Sequence, residues 1–199
     1  MNFSINKMKD TKVIFIELFR SYADFPLHSL DELFSLLTIV TVSKGTDIVS
    51  QGKPSTKEYF LLEGILREFL IDENGNEVTI NFHYNQSIIT PNFCRTLKNT
   101  SFFTIQALSN CTIAEIETGK LDNFRAESNV FFNASALIIT KLFKNNIQRQ
   151  IIHATNSGKN KLEQFRNEFK GIENYVPHSF IASYLGITNV SLSRLRKLK

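Results

Sequence analysis

The chain has 199 residues, enough for one large core or two smaller ones, so length leaves the domain count open. Its 42% hydrophobic and 21% charged residues, with eighteen Phe and no Trp, fit aromatic-rich cores and exclude a long disordered chain. The net charge of +4 is unevenly spread: residues 1–127 hold twelve Lys or Arg against sixteen Asp or Glu, and residues 128–199 hold eleven against three, which suits the C-terminal part to a polyanion.

The first ten residues, MNFSINKMKD, lack the apolar run and cleavage site of a signal peptide, and no stretch approaches the roughly 20 apolar residues of a membrane span. A cytoplasmic protein with no membrane partner is expected. Ile14–Tyr22 and Ser29–Leu37 read as short helices separated by Pro26, with Ser29 placed to cap the second. From Val40 to Ile116 come short runs rich in aromatic and branched residues, among them EYFLLEG, ILREFLI, EVTINFHY and TIAEIE, broken by KGT, QGKPS and DENGN. Asn74-Gly75 predicts a tight hairpin with both residues left-handed. The pattern predicts an antiparallel sandwich or small barrel. Cys94 and Cys111 are too few for a four-thiolate metal or iron-sulfur site, and His28, His83, His153 and His178 lack metal-ligand spacing. Neither a cofactor nor a metal is implied, and no convergent acid/base group points to an enzyme.

After a short helix at LDNFRAES, residues 129–155 contain no Pro or Gly and keep apolar positions at Phe131, Ala134, Ile138, Leu142 and Ile151, with Leu137 and Ile152 beside them. This predicts one helix of about 40 Å at 1.5 Å per residue. It either packs on its own sheet or pairs with a second copy, and Lys141 and Asn145 interrupt any strict heptad. Ser157-Gly158 marks a hinge, followed by a helix over 161–169 and a break at Gly171. The chain divides into an N-terminal sheet domain (1–127), a connecting helix (128–156) and a helical domain (157–199).

In the last segment Pro177 suits the first turn of a helix over 178–185, Gly186 ends it, and Thr188 caps another. Two helices joined by a short turn containing glycine form a helix-turn-helix. If Leu192 and Leu195 face inward, Asn189, Val190, Ser193 and Arg194 face outward, with Ser191 at the boundary. Arg194 suits guanine, Asn189 adenine or a phosphate, Val190 a thymine methyl, and Ser193 either kind of site. Backbone N–H groups after Thr188 suit a phosphate, while Arg196, Lys197 and Lys199 suit charge neutralisation. A capped helical hairpin with a solvated basic end is the plainer reading of the same residues.

VPHSFIASYLGITNVSLSRLRK, together with the sheet region and long helix, resembles the Crp/Fnr family, named for the cyclic-AMP receptor protein and the fumarate/nitrate regulator, and its short Bacteroidetes-type members in particular. The resemblance implies an α+β fold: an N-terminal cyclic-nucleotide-binding-like antiparallel jelly roll, a long dimerisation helix and a C-terminal helix-turn-helix lacking a complete wing. Gly45, Gly52 and Gly64 match its turn glycines, Thr188 its recognition-helix cap, and Asn189, Val190 and Arg194 its base-facing positions. Val190 replaces the glutamate of cyclic-AMP receptors, so the preferred operator differs. The implied function is a homodimeric, sequence-specific regulator of transcription with double-stranded DNA and RNA polymerase as partners.

Relatives that bind a cyclic nucleotide hold its phosphate with a Gly-Glu pair and a following Arg-Ser pair. Thr90 and Pro91 stand at the first pair here and Ser101 and Phe102 at the second, so that cradle is absent. An unidentified small-molecule effector would face Phe82, Ile89, Thr90, Pro91, Arg95, Phe102 and Phe103, and cyclic AMP is not expected. The alternative function is a ligand-binding sensor whose helix-turn-helix contacts protein.

Overall fold

The computed structural model describes the backbone of residues 2–197 and the side chains of residues 10–197. Helix α1 (Asn2–Arg20) and α2 (Leu27–Ser35) precede the strands β1 (Thr38–Val42), β2 (Asp47–Val49), β3 (Lys57–Glu63), β4 (Ile65–Ile71), β5 (Glu77–Tyr84) and β6 (Ser87–Ile88). A short helix α3 (Asn92–Arg95) leads to β7 (Thr96–Leu97), β8 (Thr100–Ser101), β9 (Thr104–Ala107) and β10 (Cys111–Glu117). Then come α4 (Thr118–Glu127), α5 (Asn129–Thr155), α6 (Gly158–Glu168), a 3-10 turn at Ile172–Asn174, α7 (His178–Leu185) and α8 (Asn189–Lys197).

Two four-stranded antiparallel sheets, ordered β1-β10-β3-β6 and β2-β9-β4-β5, face each other as a jelly roll. Strand alternation sorts their side chains into three cores. Leu61, Leu66, Ile105 and Ile113 fill the space between the sheets. Phe60, Leu62, Ala114 and Ile116 point outward from the first sheet and are covered by Phe15, Leu18, Leu30, Leu33 and Phe131 of α1, α2 and α5. Ile65 and Phe82 point outward from the second sheet and share a core with Phe165, Phe169, Ile181, Tyr184 and Leu192 of the C-terminal helices. The continuous apolar run of β3 is thus explained by burial on both faces.

Helix α5 spans the residues expected of it, and Ser128 Oγ caps it by accepting from Phe131 N. Its residues Phe131, Ala134, Ile138 and Leu142 pack on the chain's own first sheet, so that part of the apolar set is an internal contact, while Leu137 and Ile151 of the same set are exposed. The exposed large apolar residues of α5 are Val130, Phe132, Leu137, Phe143, Ile147 and Ile151.

Four local expectations need correction. Helix α1 extends well before Ile14. Ser29 is buried inside α2, which begins after Pro26, whose carbonyl accepts from Leu30 N. At the β4–β5 turn Gly75 is left-handed and Asn74 is not; Asp72 Oδ1 accepts from Asn74 N and Asn76 N, making a longer loop than a two-residue hairpin. Ser157 and Gly158 form no free hinge: Ser157 Oγ caps α6 from Asn160 N, and a Cβ on Gly158 would lie 3.2 Å from Leu195 Cδ1.

Candidate nucleic-acid interface and effector cavity

Helices α7 and α8 meet through a three-residue turn. Gly186 takes φ 65° and ends α7, a backbone position that disfavours any residue with a Cβ. Thr188 Oγ1 then accepts from Ser191 N at 3.1 Å and starts α8. Leu192 is buried and Leu195 half-buried against Ile181, Leu185 and Ile187, which fixes the rotation of α8. Asn189, Val190, Ser193 and Arg194 therefore stand on its exposed side, Val190 with 61% of its surface free. Ser191 is half-buried and its hydroxyl accepts from Thr188 Oγ1.

Arg196 is less available. Its guanidinium pairs with Glu173 at 3.2 Å and donates to His178 Nδ1 at 3.0 Å, and Glu173 also takes Arg166 at 2.6 Å. Lys197 is exposed, while Lys199 lies outside the described residues.

A second feature lies at the mouth of the jelly roll. There β5, β6 and the loop into α3 face helix α5 across a cavity of about 550 Å³, within the range of small-molecule sites. Its polar end holds Asn81, His83 and Thr90. His83 Nε2 donates to the Glu68 carboxylate at 2.8 Å, both residues being over nine-tenths buried. Arg149 reaches in from α5, donating to Asn81 Oδ1 and pairing with Glu168 of α6 at 3.7 Å. Burial pushes the Glu168 carboxyl up despite Arg149, and burial with Glu168 nearby pushes the Tyr184 hydroxyl up to about 12.

The α3 loop beside the cavity is filled from within. Glu58, on β3, accepts from Asn92 N at 2.9 and 3.1 Å and pairs with Arg95 at 3.5 Å. Arg95, fully buried, also donates to Thr90 O at 2.7 Å, Ser55 Oγ at 3.2 Å and Lys57 O. The helix-start N–H and the guanidinium that suit a bound phosphate are both taken by an internal carboxylate.

Residues 39–128 match the family described as Cyclic nucleotide-binding domain. No curated protein sequence matches the chain. Among solved structures it is similar to FixK2 from Bradyrhizobium japonicum, with TM-score 0.67 and 14% identity over 80% of this chain and 82% of that one. It is also similar to the c-di-GMP responsive global regulator CLP of Xanthomonas campestris (TM-score 0.66, 12% identity, 86% and 90% covered). A CooA variant from Carboxydothermus hydrogenoformans gives TM-score 0.63 and 15% identity over 83% and 77%. The chain shares the fold of these solved structures.

Within this fold the residues expected at an effector pocket separate. Phe82, Thr90 and Pro91 line the cavity. Ile89 and Phe103 are buried between the two sheets, Arg95 is bound as described, and Phe102 is 51% exposed at the surface. Phe102 goes outward because the β7–β8 hairpin turns through left-handed Lys98 and Asn99, and its N–H donates to Arg95 O. The cavity also enlists Arg149, Asn81 and Glu168, which sequence reasoning passed over. One signal was present: Arg149 follows Leu142 by seven residues, so it falls on the face of α5 that packs inward. Among the described residues no group of three or more His, Cys, Asp or Glu is placed to hold a metal, and no helix is long and apolar enough to cross a membrane.

Proposed function

We propose that the chain is a sequence-specific, DNA-binding regulator of transcription of the Crp/Fnr type that works as a homodimer and does not respond to cyclic AMP. The observation that carries this reading is α8: a helix anchored by Leu192 and Leu195 that leaves Asn189, Val190, Ser193 and Arg194 exposed side by side. That face combines a bidentate donor for guanine, an amide for adenine and a methyl-bearing surface for thymine. Thr188 positions the helix start, Lys197 supplies phosphate neutralisation, and Arg196 acts through its Glu173 and His178 contacts to hold α8 against the preceding turn. Two copies would present two such helices to major grooves one helical turn, about 34 Å, apart. The solved regulators of similar fold support this reading, as does the basic charge of residues 128–199.

The absence of a cyclic-AMP response is supported by the loop around α3. Pro91 has no N–H to give, and Arg95 and Asn92 N are engaged by Glu58.

Selection of bound genomic fragments followed by footprinting tests the reading. Wild type should enrich a pseudo-palindromic site, and Arg194→Ala should lose about 1–3 kcal/mol of affinity for it and relax the base preference at one position per half-site. Lys197→Ala should cause a smaller loss shared by all sequences. If Arg194→Ala selects the same fragments with the same affinity, α8 does not read DNA, and contact with a protein becomes the better account.

A further inference from the structure

The cavity between the sheet and α5 has walls of Phe82, Ile88, Ile139, Leu142, Phe143 and Phe169, and its polar atoms are only partly used. Ser87 Oγ and Arg149 Nε, both on lining residues, are buried without a hydrogen-bond partner. His83, 6% exposed, bonds through Nε2 to the Glu68 carboxylate. A buried polar atom left unpaired is costly, and a molecule that pairs with it relieves that cost on binding.

The charges select the kind of molecule. Among the described residues Arg149 is the only Lys or Arg on the cavity wall, and it is matched by Glu168. Glu68 sits behind His83 as a buried carboxylate. Arg95, the other arginine of this region, points into Glu58 and three backbone or hydroxyl oxygens. A phosphate or carboxylate entering here would lose its water and meet no unmatched cation, which is a large cost. An uncharged molecule meets apolar walls and a free Nε–H donor.

We propose that this cavity binds an uncharged, mainly apolar small molecule whose carbonyl or hydroxyl oxygen accepts from Arg149 Nε, and that it excludes cyclic nucleotides. The inference deepens the regulator reading by naming the class of effector, and it rests on that reading only for the consequence of binding. That consequence runs through Arg149, which joins the cavity to Glu168 on α6, and through Phe82 and Phe169, which belong both to the cavity wall and to the core under α7 and α8.

Titration of the full chain with Nile red, an uncharged dye carrying one carbonyl acceptor, tests it without DNA. The dye should bind saturably at one per chain with blue-shifted emission, and excess cyclic AMP should not displace it. Ile139→Trp, which fills the cavity from α5, and Thr140→Trp at its exposed rim should each weaken binding about tenfold or more, with unchanged far-ultraviolet circular dichroism for at least the rim variant. Arg149→Lys keeps the charge and removes Nε–H, and should weaken binding as well. Absent saturation, displacement by cyclic AMP, or unchanged affinity in a folded Trp variant overturns the site, and unchanged affinity in Arg149→Lys overturns the assigned hydrogen bond. Failure of Arg194→Ala to alter DNA selection would leave these results standing, so the two readings fail separately.

Discussion

Glu68 is 2% exposed on β4, a place where an unpaired carboxylate would be too costly to keep charged. Burial pushes its pKa up, but the charge of His83 and hydrogen bonds from His83, Thr90 and Asn81 outweigh burial and hold it below the usual glutamate range. A carboxyl with a lowered folded pKa stabilises fully above its unfolded value, and that stabilisation is lost as pH falls through the lower folded value. Glu68→Gln should therefore cost about 1–2 kcal/mol at pH 7, the difference between charged and neutral hydrogen bonds, with the gap to wild type narrowing below about pH 4.3. Urea unfolding of both proteins at neutral and acid pH measures this, and a gap that is constant with pH would show that Glu68 is not ionised in the fold. Little of this pair was legible beforehand. The strand positions of Glu68 and His83 follow from the hydrophobic pattern, but their meeting depends on the β4–β5 register, including its shift between Glu68 and Phe69.

At the scale of elements, β5 is the edge of its sheet, and an edge strand presents unpaired backbone groups. Helix α7 covers it. Ser183 Oγ accepts from Thr79 N at 2.9 Å and donates to Glu77 O at 3.4 Å, so one hydroxyl satisfies a donor and an acceptor of the edge. Beside it Arg67, 1% exposed, lies 3.7 Å from the centre of the Phe180 ring while donating to Thr79 Oγ1 and Glu77. A desolvated cation on an aromatic face contributes about 2 kcal/mol. Phe180→Ala should loosen α7 from the sheet, and hydrogen exchange at the Thr79 amide should speed up about tenfold while amides paired within β4 and β9 keep their protection. Equal exchange in the two proteins would mean that the ring does not hold the helix down. The helices α5, α7 and α8 were all visible in the sequence from their spacing, caps and stops, because those signals are local. That α7 would close a sheet edge was not, since neither Ser183 nor Arg67 carries any mark of a partner about a hundred residues away.

The molecule as a whole is a stack: helices, sheet, sheet, helices, with the C-terminal helices sharing a core with Ile65, Phe82 and Leu108 of the jelly roll. The third segment of the chain thus does not close a hydrophobic core of its own. Helix α5 crosses the stack, committing its inward face to the first sheet and leaving Val130, Leu137, Ile147 and Ile151 exposed. Exposed apolar side chains of this kind would suit an association surface, and a second copy of the same helix is the occupant that the proposed two-fold recognition of DNA requires. Leu137→Glu combined with Ile147→Glu should shift the mass in sedimentation from two chains to one and lower operator affinity with it, since one recognition helix then binds alone. A wild type that sediments as a single chain at concentrations saturating for DNA would exclude this use of α5.

By itself the sequence determined the alternation that makes a sheet sandwich, the long uninterrupted helix, and the Gly186–Thr188 turn with the outward side of α8, because each depends on periodicity or on residues within one turn of one another. The tertiary structure decided which face of α5 is internal, that Arg95 turns to Glu58 and leaves Phe102 at the surface, and that Arg149 ties the cavity to α6. Those outcomes depend on contacts between segments far apart in the chain. Burial in such contacts forces each charge to find a partner, and the sequence does not record which partner comes within reach.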